Sequence, residues 1–334
     1  MKITLVGSYN LADGYLGAAN ALKRNGVQVD FIPAHYYFSE FPKTQVSMIL
    51  NDLKKQDPDI VLWWRSETLS EANLSYIKDN FKKPFILYSW DDPNQFEDKI
   101  NNIKNKSKIF DTVFTCCEGS INDYLDSGFG RAIYCPPGFD PSVHYFEESE
   151  EYICDISLVC TNLYHGASIT RHHHLSRKIL MDTIIGNFPN LDIRIYGTKE
   201  LGNHYPNNYK GWINFNESRK VFSNSKINIC THIRPDGYKY INERVAQILG
   251  SGGLLMVDDV NGIKKVLGEN KCVIFDLSSV ESLKGQIIEI LNNKEKYDVV
   301  RRNGKDFALR SLSWDSWAKI IIENLKGTYN VQGI

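Results

Sequence analysis

The chain predicts an α/β fold of two doubly wound halves facing a cleft, and three observations carry that prediction. A strand-then-helix alternation runs from residue 3 to residue 89. A turn-rich passage, YCPPGFDPSVHY at 134–145, is followed by an acidic run at 147–151, after which the alternation restarts. The segment at 226–259, KINICTHIRPDGYKYINERVAQILGSGGLLMVDD, reads as strand, loop, charged helix, glycine pair and second strand. The boundaries that follow are 1–145 for a first domain, 152–310 for a second, and 311–334 for a terminal helix packing back toward the first.

Taken in order, residues 3–6 form an apolar strand, 7–14 a polar loop, 15–25 a helix stopped by Gly26, and 27–32 the next strand. A helix over 46–56, a strand over 60–64, a helix over 71–80 and a strand over 85–89 continue the rhythm, and VFTCC at 113–117 reads as another buried strand. Polar groups stand at the strand ends: Gly7 to Asn10, His35, Arg65 to Glu67, and Asp91-Asp92-Pro93. Parallel strands put all of these on one edge of the sheet, where ligands of such folds bind. In the second series the strands are 156–160, 191–196, 227–230, 254–257 and 272–275; the helices are 175–185, 218–223, 282–292, 296–309 and 314–325. Between 227–230 and 254–257 lies a charged helix carrying Tyr240, Glu243, Arg244 and Gln247, of which Tyr240, Arg244 and Gln247 share a face. Ser251, Gly252 and Gly253 make the tight turn after it.

Composition narrows the function. The 334 residues are 42% hydrophobic, enough for a large core, and the formal net charge of -1 argues against a general nucleic-acid surface. MKITLVGSYN lacks the long apolar stretch of a signal peptide, and no segment is long and apolar enough to span a membrane. Seven cysteines without CxxC spacing read as reduced core residues of a cytoplasmic protein.

The succession CPPGFDPSVH, DISLVCTN, IYGTKELG, YKGWINFNESRKVFSNSKINICTH and YINERVAQILGSGGLLMVDD, with a closing helix, resembles GT-B glycosyltransferases, especially the CgeB-like group with its group-1 type C-terminal domain. SWDDP at 89–93 resembles the acidic-Pro segment of that group. The resemblance implies two Rossmann-like domains, a nucleotide diphosphate sugar donor (a UDP- or GDP-sugar) on the second, a glycan or other hydroxyl acceptor on the first, and no bound metal. Asp258-Asp259 then need not be metal ligands. One position departs from the family pattern: Gln247 stands where a glutamate usually accepts from the donor ribose hydroxyls, with Glu243 as the neighbouring alternative. A neutral acceptor makes a bond about half as strong as a charged one.

For such a donor, cations and backbone N–H groups must surround the departing diphosphate. The candidates are His165, Gly166, Arg171, Arg177, Gly237, Lys239 and Arg244, with Gly237 allowing close backbone approach. The competing reading is that these arginines are solvated or pair with nearby carboxylates. Asp91 or Asp92, with His35 and Glu67 as rivals, fits the general base of an inverting reaction; otherwise Asp92-Pro93 simply starts a turn. His172, His173 and His174 are adjacent on a helix and cannot converge on a metal. Trp63 and Trp64 read as core, and Trp212 as packing between elements. The alternatives to a transferase are a catalytically silent nucleotide-sugar or glycan-binding protein and, with less support, a sugar-nucleotide epimerase.

Overall fold

The computed structural model describes residues 1–7, 14–64, 69–90, 106–161, 163, 177–232, 237–268, 270–276 and 278–329. They form two compact units, Met1–Gly138 with Trp314–Ile334, and Phe139–Ser313.

In the first unit, strands β1 (Lys2–Val6), β2 (Gln28–Ile32), β3 (Ile60–Trp64), β4 (Phe85–Ser89), β5 (Thr112–Thr115) and β6 (Ala132–Tyr134) form one sheet. Its order is β2-β1-β3-β4-β5-β6, and every neighbouring pair is parallel. The runs IVLWW and FILYS are buried throughout, as strands covered on both faces must be. Alternation then sends successive side chains to opposite faces. Trp63 joins Leu53, Leu74 and Ile77 on one face, while Trp64 joins Ala18, Leu22, Trp317 and Ile321 on the other. Helices Gln45–Gln56 and Glu71–Asn80 thus cover the first face, and Tyr15–Arg24 and Trp314–Tyr329 the second.

The second unit has strands β7 (Cys154–Cys160), β8 (Ile193–Gly197), β9 (Tyr209–Gly211), β10 (Ser225–Cys230), β11 (Leu255–Asp258) and β12 (Val273–Phe275). Their order is β12-β11-β10-β7-β8-β9, again all parallel. The chain builds outward from β7 through β8 to β9 and then returns to place β10 on the other side of β7. This reversal creates a switch point between β7 and β10, where loops at the carboxyl ends diverge and leave room for a ligand. Ile156, Leu158, Ile195, Ile227, Ile229 and Met256 face helices Arg177–Asn187 and Val280–Asn292 in one apolar cluster. Helix Glu243–Gly250 packs against helix Lys294–Ser311.

The turn after Glu243–Gly250 needs both of its glycines, for different reasons. Gly252 is left-handed, with φ 72°. At Gly253 a Cβ would stand 2.6 Å from the Phe222 carbonyl oxygen. Short elements escaped the sequence reading: helices Ala34–Glu40, Ile121–Asp126, Lys199–His204 and Ile263–Val266, and strands β6 and β9. None is long enough to display a period. Two expectations are corrected. Trp212 is 61% exposed, because it follows the short edge strand β9 and a left-handed Gly211 at φ 94°. Tyr240 lies before the helix, which begins at Glu243 because Asn242 caps it.

Candidate functional site

The switch point of the second sheet gathers the polar groups that an apolar core would otherwise exclude. β10 ends at Cys230, and the chain continues through Thr231 and His232, both 1% exposed. Arg177, at the start of the helix after β7, is buried and donates from Nε to Thr231 Oγ1 at 3.1 Å. Burial pulls its guanidinium below the usual arginine range, and the positive charge of Arg244 pulls in the same direction. Two cations therefore converge near one end of the sheet. Among the described residues the Arg244 side chain makes no hydrogen bond or ion pair.

Asn242 organises the helix start. Its Oδ1 accepts from the N–H groups of Arg244 and Val245 at 3.1 and 3.4 Å, and its Nδ2 donates to the Thr231 carbonyl at 3.0 Å. The cap thus ties Glu243–Gly250 to the end of β10 and aims the positive end of the helix toward the switch point. Cys230 donates to the same Oδ1 at 3.5 Å, and burial pushes its thiol up to about 11, so it stays protonated at neutral pH.

His232 and Asp258 form a buried pair that the sequence reading did not find. The His232 main-chain N–H meets Asp258 Oδ2 at 2.9 Å, and Nδ1 meets Oδ1 at 2.7 Å. Register explains the meeting: Cys230 pairs with Val257, so residues just beyond each lie side by side. The only sequence signal is a histidine and an aspartate directly following neighbouring apolar strands. Tyr240 stands edge-on to the imidazole, 5.5 Å between ring centres.

The other expected residues fall as follows. Gly237 is buried and its carbonyl accepts from the Tyr240 N–H at 3.1 Å, but the left-handed residue of this turn is Lys239, at φ 52°. The Lys239 ammonium lies over the Tyr238 ring, 5.4 Å from its centre. Glu243 is the first helical residue, and Gln247, 7% exposed, lies one turn further on. His35 sits at the carboxyl edge of the first sheet, where its N–H meets the Gly7 carbonyl at 3.4 Å. Asp91, Asp92, Glu67, His165, Gly166, Arg171 and His172 to His174 lie outside the described residues. Asp258 is committed to His232, and Asp259 pairs with Lys264 at 3.4 Å. Among the described residues no group of three or more His, Cys, Asp or Glu could hold a metal.

Two doubly wound units, the second with a cationic switch point, make up the GT-B architecture of glycosyltransferases. Residues 171–323 match the family model described as Glycosyl transferase-like. Among solved structures, the chain is similar to Anabaena HepE in complex with UDP and glucose, with TM-score 0.71, 12% identity, and 98% of this chain and 100% of that one covered. It is similar to sucrose-phosphate synthase from Thermosynechococcus elongatus, with TM-score 0.72, 12% identity, and 99% and 100% covered. A glycosyltransferase from Rickettsia africae gives TM-score 0.67 at 13% identity, with 98% of each chain covered. No curated protein sequence matches the chain.

Proposed function

We propose that the protein is a glycosyltransferase that moves a sugar from a nucleotide diphosphate sugar to a hydroxyl acceptor in glycan synthesis, without a bound metal. The observation that carries this reading is the convergence of Arg177 and Arg244 at the switch point, within the stretch that matches the Glycosyl transferase-like model. As the sugar departs, negative charge grows on the diphosphate, and fixed cations in a partly desolvated site favour that state over the ground state. The helix start at Glu243 adds its positive end. HepE was solved with UDP-glucose, which favours a UDP-sugar over a GDP-sugar as donor.

Gly237, Lys239, Glu243 and Gln247 complete the donor side in this reading, with His165, Gly166 and Arg171 beside them. Asp91, Asp92 or His35 receives the acceptor proton if the reaction inverts. The chain works in the cytosol, a setting that its seven buried free cysteines support. Gln247 favours one second reading, a nucleotide-sugar-binding protein without turnover.

The test is titration of the full chain with UDP- and GDP-sugars, with and without magnesium, followed by anomeric NMR of any released sugar. Binding of one nucleotide class with slow magnesium-independent release supports the transferase. Binding without release, even with acceptor mixtures, supports the silent binder, and no binding overturns the donor site.

A further inference from the structure

Asp258 receives both the ring and the main chain of His232, and both residues are buried, at 3% and 1% exposure. An ionised carboxylate can only accept, so the ring hydrogen sits on Nδ1 and a neutral imidazole has an acceptor at Nε2. That Nε2 is buried and has no hydrogen-bond partner among the described residues. Leaving a buried acceptor unsatisfied is a free-energy cost that a donor from a ligand would relieve. Elsewhere at the same strand end, Arg177 Nε donates to the Thr231 side chain and Asn242 Nδ2 to its carbonyl.

The chemistry of the missing partner follows. Diphosphate oxygens are acceptors at neutral pH and cannot satisfy a second acceptor. Hydroxyl groups can, and a nucleotide sugar carries them on its ribose and on its sugar. We propose that His232 Nε2 is a binding group for a donor hydroxyl, with Asp258 as the positioning residue that fixes the imidazole tautomer. This rests on the reading of the switch point as the donor site.

The test uses the full chain, titrated with UDP-glucose, UDP and 2′-deoxy-UDP, or the GDP series if wild type binds only that. His232→Ala is expected to weaken UDP-glucose binding about tenfold or more. Asp258→Asn keeps the volume, but its amide donates to Nδ1, moves the hydrogen to Nε2 and turns the acceptor into a donor. A hydroxyl can also accept from Nε2–H, so this variant should weaken the same ligand by more than twofold but less than His232→Ala does, and nitrogen-15 NMR of labelled histidine should report the tautomer change. A loss for UDP-glucose but not for UDP assigns a sugar hydroxyl. An equal loss for UDP-glucose and UDP, absent for 2′-deoxy-UDP, assigns the ribose. A purely structural pair would lower the melting temperature of both variants and leave affinities within twofold of wild type, and that result overturns the proposal. If wild type binds no nucleotide sugar, the donor-site reading itself fails and this one falls with it.

Discussion

Arg177 and Arg244 repel each other, and that repulsion is the reason to expect an anion between them. Charged hydrogen bonds contribute about 1.5–3 kcal/mol each, so Arg244→Ala should weaken nucleotide-sugar binding roughly tenfold to a hundredfold by calorimetry, with little change in melting temperature. Unchanged affinity removes Arg244 from the site. Gln247 lies on the same helix, three residues on, and is nearly buried. Restoring a carboxylate there with Gln247→Glu should tighten binding of the ribose-containing donor several-fold, because a charged acceptor makes the stronger bond. Looser binding would mean that the buried charge costs more than the ribose returns. At this scale the sequence was legible in placing Glu243, Arg244 and Gln247 on one helix. It was silent on His232 and Asp258, whose meeting depends on the register of two strands 26 residues apart in sequence.

Elements were read well wherever burial imposed a pattern. Strands β3 and β4 are apolar on both faces, and their bounds match the expected 60–64 and 85–89. The three- and four-residue pieces carried too little pattern to see. Helix-to-helix packing makes a sharper prediction at Gly304, where helix Lys294–Ser311 passes so close that a Cβ would stand 2.5 Å from the Lys271 carbonyl oxygen and 2.8 Å from Leu249 Cδ2. Gly304→Ala should cost about 1–3 kcal/mol in urea unfolding despite the better helix propensity of alanine. A stabilised variant would show that the helix can shift freely.

His144 couples the segment after Gly138 to helix Ser218–Asn224, its Nε2 lying 3.3 Å from Ser218 Oγ. Burial pushes its imidazole down to about 4 from 6.5, aided by the charge of Arg219 and opposed by that of Asp140. Below pH 6.5 the unfolded chain takes up a proton that the folded chain refuses until about pH 4. Stability is therefore complete above pH 6.5 and falls by about 3 kcal/mol as pH drops through that window, then levels off. Denaturation midpoints across this range check it. His144→Gln should flatten the slope, and an unaltered slope would assign it to other groups.

At the scale of the whole molecule, the chain divides at Gly138, inside the passage of prolines and glycine that precedes the acidic run. The first unit is discontinuous in sequence: its core is completed by Trp314, Trp317, Ile321 and Leu325 against Trp64 and Tyr88. Trp314→Ala should cost about 3–5 kcal/mol in the unfolding of this unit. Phe139–Ser313 is by contrast one continuous stretch, whose first residue donates to the Leu312 carbonyl at 3.0 Å, so its two ends lie together. Expressed alone it should be soluble and melt cooperatively, while a chain stopped at residue 313 should leave the tryptophan-lined face uncovered and aggregate. Limited proteolysis of each product distinguishes the outcomes. On the ribosome this arrangement reverses the usual order of completion. The half made first must wait for helix Trp314–Tyr329 to be translated, and in the interval the half made second can finish folding before it.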